Sequence, residues 1–132
     1  MIVVDANILV YHAIEPAQQQ ALVAKARTRD RQWIAPELWR SEFRNALLGY
    51  LRHGLMSLPE ALDARVDAEL AVTTRRVSAV DVLELGASSR ASAYDLEYVA
   101  LARALRILLV TADRPLSHAF PDTAVLLETF AG

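Results

Sequence analysis

The hydrophobic pattern of this chain alternates between short apolar runs and longer stretches that carry apolar residues at helical spacing. The short runs predict strands at 2–5, 32–35 and 107–111, with further candidates at 75–78 and 121–127. The helical spacing predicts helices at 16–27, 38–52, 58–72 and 79–87, and one that begins near Ser92. Strands that alternate with helices favour a parallel sheet covered by helices. We therefore expect an α/β sandwich.

The segment 92–116 carries two acids at informative positions. Asp95 lies in the first turn of a predicted helix, and Asp113 follows the unbroken apolar run 107–111. Such a run is typical of a parallel strand that is covered on both faces. Ligands of open α/β sheets bind outside the carboxyl ends of the strands. We therefore expect Asp95, Asp113 and Asp5, which ends the first strand, at one edge of the sheet.

Four of the sixteen acids stand out by position. The fourth is Glu42, which lies on the apolar face of a predicted helix, where an acid needs a partner. Each acid also has a structural interpretation. Asp5 and Asn7 are suited to capping a short helix that follows them, and Asp113 to capping the turn that contains Pro115. Asp95 follows Ser92 at the spacing of a capping box. Glu42 is suited to pairing with an arginine. The spacing alone leaves both interpretations open.

Carboxylates that converge on one edge repel each other. Two of them about 4 Å apart cost on the order of 4 kcal/mol at an effective dielectric constant of about 20. Such a group needs protons or a cation, and an oxygen-only ligand set selects a hard ion such as Mg²⁺ or Mn²⁺. Because Mg²⁺ commonly joins carboxylates to a substrate phosphate, the pattern favours phosphoryl chemistry.

Composition narrows the alternatives. The 132 residues suit one domain, 1–132, and no apolar run is long enough to cross a membrane, so we expect a cytoplasmic protein without a membrane segment. The chain has no cysteine, which excludes disulfides and cysteine-bound zinc. No glycine-rich phosphate loop is present, so no nucleotide cofactor is expected. Several aromatic residues are candidates for stacking on nucleic acid bases, although aromatics at such spacing more often belong to a core: Trp33, Trp39, Tyr50, Tyr94 and Tyr98.

Three blocks of sequence, spread in order along nearly the whole chain, resemble PIN-domain ribonucleases, and more narrowly VapC-type toxins of type II toxin–antitoxin modules. They are Ile-Val-Val-Asp5-Ala-Asn7, then Leu-Trp-Arg-Ser-Glu42-Phe-Arg-Asn45-Ala-Leu, and finally the segment from Tyr94-Asp95 to Thr111-Ala-Asp113-Arg. The resemblance implies a three-layer α/β/α PIN-like sandwich with strand order 3-2-1-4-5. It also implies a homodimer and an antitoxin that blocks the active site.

The same resemblance implies the roles of individual residues. Asp5, Glu42, Asp95 and Asp113 form the acidic quartet, and Asn7 and Thr111 support it. The family often has glycine where this chain has Arg106, which weakens the helix stop before the strand at 107.

The expected function is a Mg²⁺-dependent endoribonuclease, with Mn²⁺ as a substitute ion, that acts as the toxin of a toxin–antitoxin pair. Asp5 and Asp95 are expected to hold Mg²⁺ directly, while Asp113 and Glu42 bind a second ion or order its waters. Arg114 is expected to contact a substrate phosphate. The alternative is a non-catalytic PIN-like module that binds RNA or protein. The spacing does not decide whether Glu97 belongs to the acidic cluster.

Overall fold

The computed structural model describes residues 1–14 and 17–132. Five strands alternate with eight helices in the described part of the chain, in the following order: β1 (Ile2–Val4), α1 (Ala6–Ala13), α2 (Ala17–Arg29), β2 (Trp33–Pro36), α3 (Leu38–Arg52), α4 (Leu58–Ala71), β3 (Val72–Arg75), α5 (Ala79–Gly86), α6 (Ala93–Leu105), β4 (Leu109–Thr111), α7 (Arg114–Ala119), β5 (Ala124–Leu126) and α8 (Leu127–Ala131). The expected helix start at Pro16 lies outside the described residues.

The strands form one parallel sheet in the order β3-β2-β1-β4-β5, which confirms the expected order 3-2-1-4-5. β1 is the central strand, and Val3 pairs with Ile34 of β2 on one side and with Leu109 of β4 on the other. β1 and β4 are fully buried, as expected for strands covered on both faces. The carboxyl ends of these two neighbours, which precede Asp5 and Asp113, therefore lie side by side.

Helices cover both faces of the sheet and complete the expected PIN-like α/β/α sandwich. The right-handed crossover that parallel strands almost always have predicts the helices between β1 and β3 on one face and those between β3 and β5 on the other. α1 packs against α2, α3 and α4, whereas α6 packs against β1, β2 and β4. The short α8 returns to pack against α2. None of the described helices is long and apolar enough to span a bilayer.

The prediction of the third strand was wrong. A strand was expected at 75–78, but β3 covers Val72–Arg75 and begins directly after α4. Val72, Thr73 and Thr74 are β-branched, and the whole of β3 pairs in register with β2. Pairing with a buried neighbour therefore ends α4 one residue earlier than its helical pattern suggested.

Two short helices were also missed. The segment after Asp113 was expected to be a turn but forms α7, and the apolar segment 121–127 contains both β5 and the first residue of α8. Both helices have only five or six residues, which is too short for helical periodicity to be recognised in sequence. In contrast, α3 has the expected bounds, and Ser57 and Glu60 form the expected capping box at the start of α4.

Candidate active site

Asp5 and Asp113 follow the neighbouring strands β1 and β4 and cap the helices that come next. The Asp5 Oδ1 atom accepts a hydrogen bond from the Ile8 N–H group at 3.2 Å, at the start of α1. The Asp113 Oδ1 atom accepts one from the Leu116 N–H group at 3.0 Å, at the start of α7. The capping interpretation is therefore correct for both residues. It also fixes both carboxylates at the carboxyl edge of the sheet.

Thr111 connects these two acids. Its hydroxyl group donates to Asp5 Oδ2 and accepts a hydrogen bond from the Asp113 N–H group at 3.0 Å. The Ala112 N–H group also donates to Asp5 Oδ2, at 3.3 Å. Burial nevertheless raises the pKa of Asp5 to about 6, because the carboxylate is almost completely removed from water. The Asp5 side chain is thus held rigidly in an environment that disfavours its charge.

Glu42 on α3 and Tyr98 on α6 form the second connection across the site. The Tyr98 hydroxyl group donates to Glu42 Oε1 at 2.6 Å, so the partner of Glu42 is a tyrosine where an arginine was expected. Burial raises the pKa of Glu42, the Tyr98 hydrogen bond opposes this, and the charge of Asp95 adds to the increase. Burial and the neighbouring Glu42 raise the pKa of Tyr98, which therefore remains a hydrogen-bond donor.

Asp95 lies in the first turn of α6, as expected. Its N–H group donates to the Ser92 hydroxyl oxygen at 3.1 Å, so Ser92 caps the helix. Burial raises the pKa of the Asp95 carboxyl group, and the charge of Asp113 raises it further. Asp95 and Asp113 are therefore close enough to repel each other.

All four acids line one cleft of about 680 Å³ at the carboxyl edge of the sheet, together with Asn7. The cleft also contains Ser41 and Asn45, to which the sequence analysis gave no role, and Tyr98, which it considered only for base stacking. The sequence could have indicated these residues, because each lies within one helical turn of a predicted site acid. Ser41 and Asn45 are close to Glu42 on α3, and Tyr98 is close to Asp95 on α6. Spacing identifies such neighbours but does not show which of them turn toward the cleft.

The donor chemistry of the cleft fits a hard divalent cation, because it consists of carboxylate, amide and hydroxyl oxygens. The raised pKa values of Asp5, Glu42 and Asp95 are the response expected of crowded, partly buried carboxylates that a cation would stabilise. Within residues 1–14 and 17–132, however, no three acidic or histidine side chains are close enough to hold a metal ion as they lie. The cleft therefore gathers suitable ligands without forming a complete coordination site.

Thr111, Arg114 and Glu97, which the sequence analysis considered for the site, do not line this cleft. Arg114 forms an exposed ion pair with Glu128 at 2.8 Å. Glu97 is half-buried, and burial raises its pKa, with further contributions from the charges of Glu42 and Glu37. The charge of Glu42 therefore acts on Glu97, although Glu97 does not border the cleft.

No protein-family model and no curated protein sequence matches the chain. Its structure is similar to the crystal structure of PAE2754 from Pyrobaculum aerophilum, with a TM-score of 0.77 and 23% sequence identity over 98% of this chain and 85% of that one. It is also similar to VapC20 of Mycobacterium tuberculosis, a sarcin-ricin loop cleaving toxin, with a TM-score of 0.66 and 16% identity over 90% of this chain and 95% of that one. At these identities the likeness is one of fold, and the chain shares the PIN-like fold with both proteins.

Proposed function

We propose that this chain is a divalent-metal-dependent endoribonuclease and the toxin of a toxin–antitoxin pair. The observation that carries the proposal is that four acids from separate parts of the chain line one cleft: Asp5, Glu42, Asp95 and Asp113. The raised pKa of Asp5, Glu42 and Asp95 adds support, since perturbed carboxylates in a cleft are characteristic of functional sites. The fold shared with VapC20, a sarcin-ricin loop cleaving toxin, agrees with RNA as the substrate.

Asp5 and Asp95 would hold Mg²⁺ or Mn²⁺ directly, and Asp113 and Glu42 would hold a second ion or order bound waters. A cation bound there would supply Lewis acidity and neutralise charge on the substrate phosphate. The proposed reaction is the hydrolysis of an RNA phosphodiester by in-line attack of water, which leaves a 5′-phosphate and a 3′-hydroxyl group.

The chain's own residues would prepare the site for this reaction. Thr111 holds the Asp5 carboxylate in place through its hydroxyl group, and Tyr98 does the same for Glu42. Because its pKa is raised, Glu42 is better matched to accepting a proton from water near neutral pH than an ordinary glutamate. Arg114 would contact a substrate phosphate after leaving its exposed ion pair with Glu128, which costs little because exposed pairs are weak.

The remaining parts of the proposal concern assembly and location. Residues 1–132 would form a single PIN-like domain that works in the cytoplasm as a homodimer. A cognate antitoxin would inhibit it by covering the acidic cleft. No membrane or nucleotide cofactor has a part in this proposal.

A non-catalytic RNA- or protein-binding module is the second candidate, and two observations favour it. Asp5 and Asp113 both have complete structural roles as helix caps. In addition, no three acidic side chains of the described residues are positioned to hold an ion together. In this alternative, the acids serve the fold and the cleft binds a partner without cleaving it.

Asp113→Asn separates the two candidates, because asparagine caps helices as well as aspartate does but carries no charge. We expect this variant to keep its melting temperature and to lose cleavage of structured RNAs in Mg²⁺ or Mn²⁺. The protein must be purified free of any bound antitoxin, and EDTA should stop cleavage by the wild type. Asp63→Asn, which removes an exposed acid of α4, is the matched control. If the wild type cleaves no RNA with either metal, or if Asp113→Asn cleaves normally, the endoribonuclease assignment is wrong.

A further inference from the structure

The aromatic residues divide sharply by exposure. Trp33, Trp39 and Tyr98 are almost completely buried and Tyr50 is half-buried, so these four belong to the core or its edge. Tyr94 is 64% exposed, and among the described residues no other phenylalanine, tyrosine or tryptophan is exposed. Of the five candidates for base stacking, Tyr94 therefore offers the most accessible ring.

Tyr94 is also located at the cleft. It directly precedes Asp95 in the first turn of α6, and both residues line the same cleft as the other three acids. Isolated exposed apolar residues are common on protein surfaces and need no explanation. An exposed aromatic ring that borders a cleft of four carboxylates is more informative, because it places a flat apolar surface beside the site of the proposed reaction.

The charge of the cleft explains why an aromatic ring beside it would help to bind RNA. Its lining contains four acids and, among the residues that the structure describes, no lysine, arginine or histidine. A phosphodiester backbone therefore finds no cationic side chain in the lining itself, so neutral contacts there can add to the affinity. Stacking of a base on an aromatic side chain is such a contact, and it does not depend on the identity of the base. Asn7, Ser41 and Asn45 add exposed polar groups suited to bonding a base edge.

We infer that Tyr94 is a stacking platform for an unpaired nucleobase beside the phosphate to be cleaved. The inference rests on the proposed function and adds to it a residue that contacts an unpaired base of the RNA. In a continuous duplex each base is already stacked on its neighbours, so it has no free face for Tyr94. In a loop or a single strand a base can turn outward and stack on the ring.

The test measures binding of a fluorescently labelled single-stranded RNA oligonucleotide by anisotropy in EDTA at low ionic strength, where no metal-dependent cleavage occurs. Tyr94→Phe and Tyr94→Trp keep a stacking surface and should bind within about twofold of the wild type, whereas Tyr94→Ala should bind at least about fivefold more weakly. Leu55→Ala removes another exposed apolar side chain, outside the cleft lining, and should have no effect. A perfect duplex of the same sequence should not distinguish Tyr94→Ala from the wild type.

A second arm removes the base and keeps the backbone. An abasic position moved along the oligonucleotide should weaken wild-type binding at one main position, and Tyr94→Ala should be insensitive to that same change. Equal binding by Tyr94→Ala and the wild type, including no measurable binding by either, overturns the inference. Loss of binding in Tyr94→Phe also overturns it, because the hydroxyl group would then be the contact. Absence of cleavage in a protein that shows the Tyr94 dependence removes the nuclease proposal alone.

Discussion

Three helices of this protein begin with the same short pattern, a serine followed three residues later by an acid, yet the acids have different environments. The pairs are Ser57 and Glu60 in α4, Ser78 and Asp81 in α5, and Ser92 and Asp95 in α6. In each case the serine hydroxyl oxygen accepts a hydrogen bond from the N–H group of the acid. The local capping geometry is therefore shared, and it does not show which acid has a further role.

The electrostatic surroundings separate the first and third pairs. Glu60 is exposed, and its hydrogen bonds with Ser57 lower its pKa. Asp95 is half-buried beside the cleft, where burial and the charge of Asp113 raise its pKa. The same sequence pattern thus stabilises the charge of one acid, while the fold disfavours the charge of the other. A functional site is recognised from such an unfavourable environment for a charge, which depends on tertiary contacts and is not visible in the sequence pattern.

The largest effect is expected from removing the charge of Asp95, with the acids of the other two helices as controls. Asp95→Asn should reduce RNA cleavage on the order of 10³-fold, as expected when a group that supports charge in the transition state is lost. Glu60→Gln and Asp81→Asn change acids at the equivalent helix position and should keep wild-type rates. Initial rates in Mg²⁺, with circular dichroism as a check of folding, measure the difference. Equal losses in all three variants would show that the effect arises from helix capping.

Asp5 extends the comparison to a fully buried cap. Its pKa is about 6 in the folded protein and 3.8 in the unfolded chain, so the folded state binds the proton more tightly. The stability that protonation supplies is present below about pH 4 and is lost as the pH rises through about 6. A pKa difference of this size lowers the free energy of unfolding by about 3 kcal/mol over this pH range.

Asp5→Asn should abolish most of this pH dependence. Without metal, the variant should be more stable than the wild type at about pH 7. The NH2 group that replaces Oδ2, however, cannot accept the hydrogen bonds that Oδ2 accepts from the Thr111 hydroxyl and the Ala112 N–H group. Urea unfolding in EDTA between about pH 4 and about pH 7 measures the free energies, with Asp63→Asn as the surface control. A variant that is less stable at every pH and keeps the wild-type slope would mean that Asp5 acts only as a helix cap.

The sequence was sufficient for much of the fold because the central strands and long helices are decided by strong local patterns. The apolar runs at β1 and β4 and the uniform amphipathic pattern of α3 belong to this class. β3 was misplaced because its position depends on pairing with β2, which no local pattern records. For the site, spacing identified the acids. It did not indicate that Tyr98, which lies on a helix 56 residues away in sequence, would contact Glu42. Contacts between elements are decided by packing.

A smaller effect is expected from the serines of the same pattern. Ser57→Ala and Ser92→Ala should each cost about 1 kcal/mol of stability, because each removes a helix cap. Their effects on activity should differ. The hydrogen bond with Ser92 lowers the pKa of Asp95, so its loss should raise that pKa and move the rise of cleavage activity to higher pH. Ser57→Ala should leave the pH profile unchanged. Coincident profiles for the two variants would show that Ser92 acts only as a cap.

The smallest effect concerns the other end of α6. Arg106 ends this helix in the left-handed conformation, with φ of 57°, at a position where the resemblance leads one to expect glycine. A side chain in this conformation costs roughly 1–2 kcal/mol, while glycine adds flexibility to the unfolded chain and offsets part of the gain. Arg106→Gly should therefore raise the free energy of unfolding by about 0.5–1 kcal/mol and leave cleavage unchanged. An unchanged or lower free energy of unfolding would mean that the arginine side chain compensates for its backbone strain. In that case Arg106 would end α6, the helix that carries Asp95, as effectively as the expected glycine.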